Sequence, residues 1–244
     1  MPLVLLLENY KLGIVITPKV ASTTMIKFSM SLSGVEIGDQ NARKYARHNA
    51  KFLQEKRGLI QMVVPSSDVR KFSARHANYK WVAVTRNPYS RALSGYKSKV
   101  QRYAREYKFG TYVWTGILKL IKGPKAWDDS RVHAEEVAKR IPFGEFLSGL
   151  QSHGLNWDGH FQLQADILAL SEMHYDLLIK QEELPEGIVQ LAQLVGIPAG
   201  SAPRVSFSNV SLNQKFGVSS LTVEEREVIC NLYQKDFELL GYEP

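Results

Sequence analysis

The stretch Ile14-Val15-Ile16-Thr17-Pro18-Lys19-Val20-Ala21-Ser22-Thr23-Thr24-Met25 limits the fold more than any other part of the chain. A β-branched apolar run ends at Pro-Lys, passes through small hydroxyl residues, and takes up helical spacing at Met25, Phe28 and Leu32. This order predicts strand, loop, helix. The first N–H groups of a helix have no partner within it and its dipole is positive at that end, so such a loop suits a phosphate or sulfate. Lys19 adds a mobile positive charge with three donors, and Ser22, Thr23 and Thr24 add hydroxyls. An ordinary P-loop would also need two glycines and a Gly-Lys-Ser/Thr ending, and this stretch has neither. Taken alone, residues 18–25 also read as a strand-to-helix turn with a Ser or Thr N-cap.

A second unit of the same kind follows. Lys80-Trp81-Val82-Ala83-Val84-Thr85 reads as a central strand that stops at Arg86-Asn87-Pro88, and Tyr89, Leu93 and Tyr96 then begin a helix. In open α/β sheets ligands sit beyond the carboxyl ends of strands, so the two basic loops are expected to face one bound anion. Around them, residues 3–7 and 12–17 read as a hairpin, and residues 23–32 as a helix ending near Gly34. The basic residues 41–57 carry Tyr45, His48 and Phe52 at helical spacing, and residues 59–64 form a short strand. Ser66-Ser67-Asp68 caps a helix through Val69, Phe72 and His76; further on come a short helix at 142–150, a strand at 175–180 and a helix through Ile188, Leu191 and Leu194. Residues 201–218 read as polar loop, and Thr222-Val223-Glu224-Glu225 opens a final helix at 225–240. The expected fold is α/β, a parallel sheet flanked by helices, in a single domain spanning residues 1–244.

Composition narrows the partner. With 44% hydrophobic and 23% charged residues the chain can bury a core, and its +7 formal charge (pI about 9.3) favours an anion: a nucleotide, an acidic polysaccharide, nucleic acid or a membrane surface. Cys230 is the one cysteine, so neither an intrachain disulfide nor a four-cysteine metal site can form, which fits a reducing, cytoplasmic setting. Residues 3–7 are too short and lack the basic flank of a signal peptide, and no apolar run approaches the length of a transmembrane helix. Residues 97–140 hold eleven Lys or Arg against five Asp or Glu, interleaved with Tyr103, Tyr107, Phe109, Tyr112, Trp114 and Trp127. They read either as a solvated face or as an acceptor-binding surface or lid, since rings and cations together suit acidic sugars.

Several motifs together carry a family resemblance. Pro18-Lys19-Val20-Ala21-Ser22-Thr23-Thr24 resembles the 5′-phosphosulfate loop of sulfotransferases, and Arg86 followed eight residues later by Ser94 resembles their 3′-phosphate motif. The chain is most similar to the carbohydrate branch that includes the chondroitin and HNK-1 enzymes. His160-Phe161-Gln162-Leu163-Gln164 resembles that branch's His-Trp-x-Pro-Gln, Tyr175-Asp176 with Glu182-x-Leu184 its Tyr-Asp…Glu-x-Leu strand, and Tyr233-x-x-Asp236-Phe237…Tyr242 its C-terminal end. Asn87 stands where the branch has an acid, Phe161 where it has Trp and Leu163 where it has Pro, and the paired cysteines of the eukaryotic enzymes are missing. These departures point to a soluble relative of bacterial type.

The resemblance implies a P-loop-NTPase-like α/β fold, the donor 3′-phosphoadenosine 5′-phosphosulfate, and a hydroxyl acceptor such as a carbohydrate. In that reading Lys19 is the catalytic cation and, with Ala21, Ser22, Thr23 and Thr24, holds the 5′ end, while Arg86 and Ser94 hold the 3′-phosphate. His160 is the first choice of base and His48 the second; Glu36 and Glu182 are more distant candidates, and Glu182 is better read as orienting the site. No metal-ligand spacing occurs and no metal is expected. Two other readings compete: a nucleotide-dependent kinase using ATP and Mg2+, and a non-enzymatic polyanion- or nucleic-acid-binding protein using residues 97–140. The chain has no recognised nucleic-acid motif, so no nucleic-acid partner is expected.

Overall fold

The computed structural model describes residues 1–102, 141–156, 158–203 and 217–244. In chain order the principal elements are β1 (Leu3–Leu7), β2 (Leu12–Ile16), α1 (Ser22–Leu32), α2 (Ala42–His48), α3 (Ala50–Arg57), β3 (Leu59–Val63), α4 (Val69–Ala74), β4 (Lys80–Thr85) and α5 (Pro88–Tyr96). They continue with α6 (Phe143–His153), α7 (Gln164–Ile167), β5 (Leu177–Lys180), α8 (Leu184–Leu194), α9 (Val223–Leu232) and α10 (Gln234–Leu240). The chain forms two compact units, residues 1–87 with 164–212 and residues 88–163 with 213–244. The basic, aromatic segment singled out from the sequence lies mostly at 103–140, outside the described residues.

The first unit is the α/β sheet with flanking helices expected from the sequence. Its strands run in the order β3-β1-β2-β4-β5. β1 is antiparallel to both β2 and β3, while β2, β4 and β5 are parallel. Strand alternation sorts the side chains onto two faces. Leu5, Leu7, Ile14, Ile16, Val82, Val84 and Ile179 share one core with Met25 and Phe28 of α1, Leu53 of α3 and Ile188 and Leu191 of α8. Val4, Leu6, Val15, Trp81 and Ala83 pack on the other side with Val69 of α4 and Leu168. Gly13 pairs with Trp81, and a Cβ at Gly13 would lie 2.4 Å from the indole ring, so that register admits glycine alone.

Register also fixes which strand ends meet. Ile16 pairs with Val84 and Thr85 with Lys180, so the loops after β2, β4 and β5 leave the same edge of the sheet. At the opposite edge the Asp176 carboxylate accepts from the Trp81 N–H at 2.7 Å and from Lys80 Nζ at 3.1 Å, which aligns the starts of β4 and β5. Burial alone would raise the Asp176 pKa; these hydrogen bonds and the nearby positive charges outweigh it and hold the carboxyl below the usual range.

The second unit is helical. Tyr89, Leu93 and Tyr96 of α5 pack with Phe146 and Leu150 of α6, Phe161, Ile229 of α9, Tyr233 and Phe237. α5 runs into a π-helical stretch, Lys97–Arg102, and the Tyr96 hydroxyl donates to the Ile141 carbonyl at 2.5 Å. Thr222 and Glu225 form a reciprocal capping box at the start of α9, as their spacing predicts. Two helices are interrupted where periodicity alone reads continuity. Asn49 separates α2 from α3, its side chain donating to the Tyr45 carbonyl at 2.9 Å in competition with the helix ladder. Tyr233 separates α9 from α10 at φ −115° and ψ 21°, yet Ile229, Tyr233 and Phe237 keep one buried stripe through the break.

Candidate functional site

The loop after β2 has an unusual backbone. Lys19 has φ 73° and Ala21 φ 27°, while Val20 between them keeps a negative φ. Left-handed values are unfavourable for residues with a Cβ, so this loop stores strain. Alternating signs of φ also turn successive N–H groups towards one side, the concave arrangement that cradles anions. The buried Val20 side chain anchors the turn in the core of the first unit. At the end of β2 the Thr17 hydroxyl is buried and has no hydrogen-bond partner. The Ala21 N–H, at the N-cap of α1, donates to Gln181 Oε1 at 3.0 Å, so an oxygen already sits on one of these donors. Ser22 and Thr23 are half-buried and Thr24 is buried at the start of the helix. The Arg43 guanidinium, delivered by α2, donates to the Ser22 hydroxyl.

Arg86 at the end of β4 is tied to this loop. Its Nη1 donates to the Lys19 carbonyl at 3.1 Å. Its backbone is held by Gln164: the Arg86 N–H donates to Gln164 Oε1 at 3.0 Å, and Gln164 Nε2 donates to the Arg86 carbonyl at 2.8 Å. Gln164 is fully buried, so both ends of its amide are used where water cannot compete. The next N–H, of Asn87, donates to Glu182 Oε1 at 3.0 Å. The first unit therefore brings together Lys19, Ala21, Ser22 and Arg86 at the carboxyl edge of parallel strands, with Gln181 and Glu182 from the turn after β5 as struts.

The remaining candidates are placed differently. His48 is exposed in the last turn of α2 in the first unit. Ser94 is half-buried on α5 in the second unit, and His160 lies there too. The His160 ring places Nδ1 2.6 Å from Asp158 Oδ1, and its backbone N–H donates to the same oxygen at 2.8 Å. Asp158 Oδ2 is 3.2 Å from Lys99 Nζ. Burial pushes the Asp158 pKa up, but the hydrogen bonds from His160 and the charges of His160 and Lys99 override it and hold the carboxyl well below the usual range. Gln181, Arg43, Asp158 and the amide of Gln164 were not singled out from the sequence. Gln164 stood in the His-x-x-x-Gln motif, and the basic segment at 41–57 pointed towards Arg43; nothing local marked Gln181 or Asp158. Among the described residues no cluster of three or more His, Cys, Asp or Glu side chains is arranged to hold a metal.

In this mixed α/β sheet the parallel strands β2, β4 and β5 share a carboxyl edge at which the left-handed Lys19–Ala21 loop lies, the edge beyond which open α/β sheets place their ligands. The chain belongs to the Sulfotransferase family, whose model matches residues 4–243, and is thus a transferase of sulfuryl groups. No curated protein and no solved structure matches it. Among the described residues no helix is long and apolar enough to cross a membrane.

Proposed function

We propose that the protein transfers a sulfuryl group from 3′-phosphoadenosine 5′-phosphosulfate to a hydroxyl of a carbohydrate or another polar acceptor. The observation that carries the reading is the bond from the Arg86 guanidinium to the Lys19 carbonyl, which joins the two basic loops of the first unit. The donor set fits such a group: a loop whose Ala21 N–H already donates to an oxygen, a lysine, hydroxyls and a guanidinium. Lys19, Ala21, Ser22, Thr23 and Thr24 would hold the 5′ end, and Arg86 and Ser94 the 3′-phosphate. The donor supplies the sulfuryl group, which leaves its phosphate oxygen with that oxygen keeping the electron pair of the broken S–O bond and joins the acceptor oxygen. Lys19 offsets the charge that develops on the leaving oxygen, and His160 takes the acceptor's proton. His160 is preferred to His48 because its ring is half-buried and hydrogen-bonded to a carboxylate, whereas His48 is exposed.

Calorimetric titration with 3′-phosphoadenosine 5′-phosphate, beside ATP with Mg2+, tests this. The bisphosphate is expected to bind in preference to ATP, and Arg86→Ala to weaken it roughly 50-fold, the worth of its charge-assisted hydrogen bonds. Equal, Mg2+-dependent binding of ATP would favour the kinase reading and sink this one.

A further inference from the structure

The segment that carries His160 is held from two sides within the second unit. Arg91, fully buried on α5, donates to the Gln162 carbonyl at 2.8 Å and to the Gly159 carbonyl at 3.5 Å, bracketing His160 and Phe161. Phe161 is fully buried against Phe146, with ring centroids 5.0 Å apart, and against Gly95, where a Cβ would lie 2.8 Å from its ring. The main chain around His160 is thus fixed. The ring is fixed separately, by Asp158. A carboxylate that served only to close a turn would need no more than its bond to the His160 N–H. Asp158 also reaches Nδ1 of the ring, and its other oxygen meets the buried Lys99 ammonium.

We propose that Asp158 is a positioning residue for sulfuryl transfer: with Lys99 holding its second oxygen, it keeps the proton of neutral His160 on Nδ1, so that Nε2 is the atom that receives the acceptor's proton. This rests on the reading of His160 as the base. An ionised carboxylate can only accept, so the neutral ring must present an N–H at Nδ1 to keep that bond. Lys99 keeps the carboxylate ionised, and the same negative charge stabilises the imidazolium formed when Nε2 takes the proton. Among the described residues, Asp158, Lys99 and the Arg91 guanidinium are charged groups that the second unit holds against this segment. The arrangement is an orienting carboxylate behind a base, with the backbone clamp supplied by an arginine.

The test is made on the whole chain labelled with ¹⁵N-histidine, the His160 signals being assigned by their loss in His160→Gln. At a pH where the ring is neutral, wild type is expected to show His160 protonated at Nδ1, and Asp158→Asn to move that proton to Nε2. Wild type with the proton on Nε2, or no change in Asp158→Asn, overturns the proposal; the wild-type spectrum decides even if the variant does not fold. Turnover gives a second readout, using the phosphosulfate donor with water as acceptor and following release of the bisphosphate. Asp158→Asn is expected to lower kcat roughly 100-fold, within the range of general-base catalysis, with KM for the donor and affinity for the bisphosphate unchanged. If His160→Gln slows turnover and Asp158→Asn does not, Asp158 has no positioning role while His160 stands as the base. If His160→Gln leaves turnover intact, the base assignment and this inference fall together.

Discussion

Gln164 shapes the candidate site through the backbone it holds. One buried amide satisfies both the N–H and the carbonyl of Arg86, and through them sets the direction of the guanidinium that reaches Lys19. Gln164→Leu would preserve the bulk and remove both bonds to the partly buried Arg86 backbone. The expected cost is about 2 kcal/mol, seen as a lower urea midpoint with unchanged slope, together with weaker binding of the bisphosphate. At this scale the sequence showed the groups whose chemistry is local. Lys19 was visible because it follows a β-branched strand, and Arg86 because it precedes the proline that ends β4. The partners were not visible. Gln181 meets Ala21 across 160 positions and Gln164 meets Arg86 across 78, distances over which a single sequence has no periodicity to read. Asp158 is only two residues from His160, but an Asp-Gly-His string is equally at home in an ordinary turn.

Among elements, the strands were the most legible, since β1, β2 and β4 are almost wholly apolar and are buried on both faces by helices. Helix ends were legible where a cap has its own chemistry. The Thr222–Glu225 box fixes the start of α9 with bonds of 3.0 and 3.2 Å, and Thr222→Ala is expected to lose about 1 kcal/mol in a chemical unfolding titration. Helix breaks were harder. At Asn49 and Tyr233 the apolar spacing continues across the interruption, so the pattern of burial does not betray it; only the backbone angle at one residue departs from the helix. The split of the basic segment matters for the site, because α2 is the short helix that carries Arg43 to the start of α1.

At the scale of the whole molecule, pH should act on stability from both ends. Burial raises the phenols of Tyr89, Tyr175 and Tyr233; for Tyr89, pushed up to about 12, the Cys230 thiol 2.7 Å away adds to the effect and Arg226 opposes it. A phenol whose folded pKa exceeds its unfolded value near 10 gives a stabilisation that is complete below about pH 10 and is lost as pH rises through the folded value. Absorbance at 295 nm should therefore show these three of the eleven tyrosines still protonated at about pH 11, ionising only as the protein unfolds. On the acid side Asp158 and Asp176 are held low, so their contribution is present above about pH 4 and fades as pH falls below it. The division of the chain bears on how the site comes into being. β2, its strained loop and Arg86 all lie before residue 88, whereas Gln164, Gln181 and Glu182, which tie those loops, come after the chain has run through residues 88–163 of the other unit. During synthesis, which proceeds from the N-terminus, the Lys19–Ala21 loop emerges long before Gln164, Gln181 and Glu182 exist. A nascent chain thus holds the Lys19–Ala21 turn by Val20 and Arg86, without Gln181 until that residue has left the ribosome, so the loop reaches its full set of hydrogen bonds late in synthesis.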